Sequence, residues 1–178
     1  MPILGVIASS KLTAVANSYE SIATPTITGS ANFVDFTSIP GTYKYLQIRY
    51  SLIGSALNSD ITYRFNSDTA SNYTYHELRG NGSVTTASGN GSITFGYIAS
   101  NATSSTYPCV GIVDIFDYAD TNKKTTVRTL SGKDENGGGT VQIITSVYKQ
   151  TTTITDIRFD AGTTIATNSQ IALYGIKG

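Results

Sequence analysis

The sequence predicts an all-β protein, an antiparallel β-sandwich of jelly-roll type preceded by an extended N-terminal arm. Three observations carry that prediction. Apolar and polar residues alternate with period two in run after run, the pattern of half-buried strands, whereas helices repeat their apolar residues every 3.6 positions. Clusters of Gly, Asn and Asp separate the runs at short intervals, as turns do in an antiparallel sandwich. Thr, Ile, Tyr and Val are abundant, and β-branched and aromatic side chains suit a pleated surface.

The elements follow in order. Residues 1–18 read as an arm: an apolar tip, MPILGVIA, then SSKLTAVANS without clear alternation. The tip is too short for a membrane span, which needs about 20 apolar residues, and it lacks the positive start of a secretory leader. Its apolar positions Ile3, Leu4, Val6 and Ile7, with Leu12 behind them, are expected to lie on a partner surface or a neighbouring subunit. Residues 19–178 show no internal boundary and read as one sandwich domain.

Within that domain YKYLQIRYSLI, from Tyr43, places Leu46, Ile48, Tyr50 and Leu52 on one face with Gln47, Arg49 and Ser51 on the other. ITYRF sets Ile61, Tyr63 and Phe65 against Thr62 and Arg64, and SITFGYI sets Ile93, Phe95 and Tyr97 against Thr94 and Gly96. TDIRF directs Ile157 and Phe159 inward, and QIALYGI directs Ile171 and Leu173 inward against Ala172 and Tyr174. CVGIVDIF, from Cys109 to Phe116, is apolar on both faces and is expected to be a central strand covered on each side. GNGS occurs at 80–83 and again at 89–92, which predicts two similar turns flanking a flexible Ser/Thr-rich loop tip. With the turn at 134–139, this region offers Asn81, Asn90 and Asn136 as candidate partner- or glycan-binding positions.

Composition excludes several classes of function. Only 13% of the chain is charged, twelve basic residues balance twelve acidic ones, and 20 Ser and 27 Thr make the polar surface. Zero net charge cannot supply the cations on which nucleic-acid binding depends, nor a polybasic membrane contact. One cysteine, Cys109, cannot form an internal disulfide or a Cys-based zinc site, and it is expected to be buried and inert. No cofactor or metal site is expected. His76 is the sole histidine, and no GxSxG elbow accompanies it, so it reads as a strand residue at an edge or subunit contact. Asp117 with Asp120, and Asp134 with Glu135 and Asn136, depart from the spaced calcium loop and read as turn caps. Tyr45 and Tyr174 fall opposite the expected core. With no Trp in the chain, they are weighted toward a protein interface or a second-sheet core over a sugar platform. No catalytic constellation emerges, and the chain is read as a non-enzyme.

Specific wording then adds to the pattern. SYESIAT at 18–24, FTSIPGTYKYLQIR at 36–49, YHELRGNGS at 75–83, DIFDYADTNKKTTVRTLSGKDENGGG at 114–139 and IALYGIKG at 171–178 resemble a family of small proteins of tailed bacteriophages, common in phages of aquatic and cyanobacterial hosts. The resemblance spans nearly the whole chain and implies a virion structural protein on the particle exterior, with no catalytic motif to transfer. A capsid decoration, or cement, protein that reinforces contacts between capsid subunits is the expected role, with the major capsid protein as partner. A tail-fibre or tail-associated adhesin for host glycans is the alternative. Long stalks and trimerising heptads are absent, which favours the head. Self-association into a symmetric oligomer, a trimer, is expected because closure covers sandwich edges.

Overall fold

A computed structural model describes residues 18–100 and 102–178, so the arm positions Ile3, Leu4, Val6, Ile7 and Leu12 lie outside the described residues. The described strands are β1 (Tyr19–Ala23), β2 (Phe33–Phe36), β3 (Tyr45–Leu52), β4 (Ile61–Phe65), β5 (Tyr73–Gly80), β6 (Thr85–Ile93), β7 (Gly96–Ala99), β8 (Cys109–Phe116), β9 (Thr125–Asp134), β10 (Gly139–Tyr148), β11 (Ile157–Asp160) and β12 (Gln170–Ile176). They form an eight-stranded sheet, β1-β12-β3-β8-β9-β10-β5-β6, and a four-stranded sheet, β2-β11-β4-β7. Every neighbouring pair is antiparallel. The sheets pack as a sandwich, with the core between them.

Alternation sets that core. Leu46, Ile48, Tyr50 and Leu52 of β3 are buried, as are Ile61, Tyr63 and Phe65 of β4, Ile157 and Phe159 of β11, and Ile171 and Leu173 of β12. Tyrosine contributes to the interior directly: Tyr63, Tyr73 and Tyr118 are among the largest fully buried side chains. Tyr63 stacks on Phe65 at 4.6 Å, and the Tyr73 hydroxyl accepts the Phe65 amide at 3.0 Å, so its polar end is paired inside the core.

Three expectations change. The run from Ile93 to Tyr97 is two strands in different sheets: β6 ends at Ile93 in the large sheet and β7 begins at Gly96 in the small one. The core-facing residues of β7 are Gly96 and Ile98, and Tyr97 instead stacks half-buried on Tyr75 at 4.6 Å. Gly96 is required because a Cβ there would come within 1.8 Å of the Tyr63 ring. Second, residues 80–92 are a hairpin, not a loop tip. Asn81 accepts the amides of Ser83 and Val84 at 3.0 and 2.8 Å, Gly82 adopts φ 86°, and the second GNGS lies inside β6. Third, Cys109–Phe116 is central in its sheet, between β3 and β9, but Val110 and Ile112 on its outer face are exposed.

Candidate functional site

That exposed face is the most distinctive surface of the molecule. In β9 the inward residues include Thr129 and Ser131, while Leu130 between them points out; in β10 Gln142 and Ser146 are buried, while Val141 and Ile143 point out. At these positions the usual arrangement of an antiparallel sheet, apolar inward and polar outward, is reversed, while Val127, Ile144 and Tyr148 of the same strands keep apolar side chains inward.

The reversal has a local cause. β7 is the last strand of the small sheet, and it packs over β9, β10 and β5. An edge strand carries unpaired backbone groups that need partners when buried. Gln142 supplies them just past the strand's end: its Oε1 accepts the Ser100 amide at 3.1 Å and its Nε2 donates to the Ser100 carbonyl at 2.9 Å. Ser131 Oγ reaches the Ile98 carbonyl at 3.4 Å. Polar side chains therefore occupy inward positions of β9 and β10, and strict alternation leaves Leu130, Val141 and Ile143 on the outside.

Register aligns the outward residues into rows across β8, β9, β10 and β5. One row is Ile112, Leu130, Ile143 and Leu78, each the cross-strand partner of the next. A second is Val110, Gly132, Val141 and Gly80, in which large and absent side chains alternate. The six apolar side chains of these rows are each between 40% and 61% exposed. At about 4.8 Å per strand and about 6.7 Å per row the band covers roughly 260 Å², a contiguous apolar patch of the few-hundred-Å² scale that monomers rarely exceed. A third row, Asp114, Arg128, Thr145 and His76, closes the band on a polar side.

The polar border is built rather than diffuse. Gln47 donates to Asp114 at 2.7 Å, Arg128 donates to the other Asp114 oxygen at 2.7 Å, and Arg49 donates to Gln47 at 2.7 Å. Arg49 also lies over the rings of Tyr19 and Tyr174, at 5.0 and 5.4 Å from their centroids. Such stacking holds the guanidinium flat against the sheet. Tyr174 thus serves a surface cluster, and Tyr45 stacks on Phe116 at 5.2 Å.

The Asn candidates divide. Asn81 and the hairpin 136–139 meet at one end of the band, where Asn81, Lys133, Asp134, Thr140 and the glycines of both turns line an open groove of about 660 Å³. Asn136 adopts φ 57° in the β9–β10 turn, and its amide is capped by Asp134 at 2.9 Å. Asn90 stands apart in edge strand β6, opposite Tyr75. His76 is exposed on the outer face of β5, whereas Glu77 takes Ser88 on the other face at 3.1 Å, so the two do not form a pair. Asp117 and Asp120 both face Lys123, at 3.3 and 3.8 Å. Cys109 is buried, and burial pushes its thiol up to about 11. Among the described residues no group of three His, Cys, Asp or Glu is placed to hold a metal ion. The apolar rows escape sequence reasoning because alternation gives each strand two faces without saying which is inside; the double-sided apolarity of CVGIVDIF is the one signal that pointed to them. Comparison with protein-family models, curated proteins and solved structures returns no match.

Proposed function

We propose that this chain is a virion structural protein that works by contact, a decoration (cement) protein that binds the outside of a phage head and reinforces the junctions between capsid subunits. The observation that carries the reading is the reversed outer face of β8, β9, β10 and β5: a rigid sheet that holds its Thr, Ser and Gln inside and presents Leu, Ile and Val is shaped to be covered. At about 1.5–3 kcal/mol for a full Val, Leu or Ile burial, covering six half-exposed side chains contributes roughly 5–9 kcal/mol toward the cost of association. The phage-protein wording of the sequence supplies the setting, and the neutral, hydroxyl-rich remainder suits an exterior that avoids indiscriminate binding. The strand orders β1-β12-β3-β8 and β2-β11-β4-β7 support a jelly-roll reading. We read the fold as a jelly roll widened by the hairpins β5–β6 and β9–β10.

A second reading, a tail-associated adhesin, is favoured by the open groove between the Asn81 and 136–139 turns, where Lys133, Asp134 and Thr140 stand beside the apolar Pro108, Val110 and Val141, polar groups and an apolar floor of the kind a sugar ring uses. Quantifying the chain in purified virions and adding the isolated protein to bare capsids tests both. Hundreds of copies per particle and saturable capsid binding are expected. A few dozen copies confined to tails, with glycan binding at micromolar strength, overturns the capsid reading.

A further inference from the structure

We infer that the apolar face of the large sheet is covered by a second copy of this chain, packed sheet to sheet about a two-fold axis that runs parallel to the strands between β9 and β10. The inference deepens the contact-protein reading above and rests on it, because it names what the face binds. It assigns two-fold symmetry where the sequence alone leads one to expect a trimer.

Stacked sheets keep their strands aligned to within about 30°. Two in-plane two-fold axes satisfy that condition, one along the strands and one across them. An axis across the strands, through the Ile112 to Leu78 row, would lay Val110 and Val141 on the row of Asp114, Arg128, Thr145 and His76, which strips charge of water without pairing it. An axis along the strands keeps each row on itself and reverses its order. Ile112 then meets Leu78 of the other copy, and Leu130 meets Ile143.

In the neighbouring row Val110 meets Gly80 and Val141 meets Gly132, so each large side chain falls on a position with none. Nothing stands within 4 Å of a Cβ built at Gly80, and at Gly132 the nearest atoms are the Thr140 carbonyl and the edge of Val141. Gly80 is an open notch on the outer face, and Gly132 is a shallower one, with the Thr140 carbonyl 3.0 Å from where a Cβ would stand. In the polar row Asp114 meets His76 and Arg128 meets Thr145, so acid opposes imidazole and no like charges oppose. The same pattern read in both directions is what an isologous interface requires.

The area is adequate. The axis overlaps six strands of each copy, β3, β8, β9, β10, β5 and β6, and leaves β12 and β1 outside with Tyr19 and Tyr174, while Arg49 on β3 falls at the rim opposite Ala87 of the other copy. Six strands at about 4.8 Å and about seven residues at about 3.4 Å cover roughly 690 Å² per copy. The total of about 1,400 Å² lies within the standard class of stable interfaces.

Sedimentation velocity on the full chain, from micromolar to several hundred micromolar, tests the proposal. The wild type is expected to be a dimer in this range. Leu130→Lys and Ile143→Glu each place a charge in the apolar row and are expected to weaken association by about 100-fold or more. Their folded state is checked by circular dichroism, since both positions are exposed in one copy. Mixed in equal amounts, the two variants are expected to recover dimer, because in the proposed arrangement the substituted positions face each other. Gly80→Leu, which fills the open notch without crowding its own copy, is expected to weaken the dimer by about 10-fold or more. A wild type that stays monomeric, a three-fold particle, or variants that fail to rescue one another overturns the inference. Dimers that bind no capsid leave it standing and remove the decoration reading; monomers that decorate capsids do the reverse.

Discussion

Replacing Gln142 by leucine separates two accounts of the large sheet. If inward positions simply favour apolar side chains, Gln142→Leu should stabilise the fold, since the residue is 1% exposed and leucine is of similar size. The geometry says otherwise. Gln142 is the partner of both backbone groups of Ser100, at 3.1 and 2.9 Å, and leucine would leave an amide and a carbonyl unmet. A buried group stripped of its partner costs about 1–3 kcal/mol. Ser100 is half-buried, so water recovers part of that loss. Two groups at the low end, less about 1 kcal/mol regained from apolar burial, predict a net destabilisation of about 1 kcal/mol. For a chain of this size that is roughly 2–4 °C in Tm. The assay is urea denaturation followed by tyrosine fluorescence, the chain having no Trp. Protomer concentration is held fixed, because association with a second copy adds to apparent stability. A Gln142→Leu variant with an unchanged or higher midpoint at unchanged slope would refute the reasoning.

Two further outcomes follow from the core. Gly96→Ala drives a Cβ into the Tyr63 ring, which is enclosed by Phe65 and Tyr73, so a loss of about 3 kcal/mol or more is expected from thermal melting; Tyr63→Leu in the same chain should recover part of it, and a neutral Gly96→Ala would refute the contact. Stability should also fall in alkali. Burial pushes the Cys109 thiol up to about 11. It pushes the Tyr73 phenol up to about 12, and the Tyr97 phenol, also facing Asp60, up to about 12 as well. All three are raised above their unfolded values, so their contribution is complete below about pH 9 and is lost as pH rises toward 12. A Tm that stays flat from pH 9 to 12 would contradict this.

Much of the sandwich was legible because its central strands are one-sided. Leu46, Ile48, Tyr50 and Leu52 alternate with polar neighbours, as do Ile61, Tyr63 and Phe65, and burial follows the alternation in both. The break at Gly96 was not legible, because period two continues through Ile93, Phe95 and Tyr97 while the chain changes sheets; the demand for glycine comes from Tyr63, a partner 33 positions away. Asn90 illustrates a different failure. Gly-Asn-Gly has turn chemistry, but pairing with β5 holds it in an edge strand, and Asn90 bonds the Ser92 amide at 2.9 Å instead of closing a turn. Asn81, with the same flanking residues, does close one.

The outer rows were hidden for a deeper reason, which links the fold to its assembly. The two sheets are unequal, eight strands against four, so the small sheet must end partway across the large one. It ends at β7, and only the inner faces of β9 and β10 can meet the backbone groups around that end, through Gln142 and Ser131. With those inward positions polar, β-forming apolar residues beside them fall on the outward parity, while Val127 and Ile144 stay inward further along the strands. Leu130, Val141 and Ile143 are the consequence, and a lone copy leaves them in water. An outward face made apolar by the needs of the interior gains stability when something lies on it. A second copy of the same face carries both the matching rows and the matching notches.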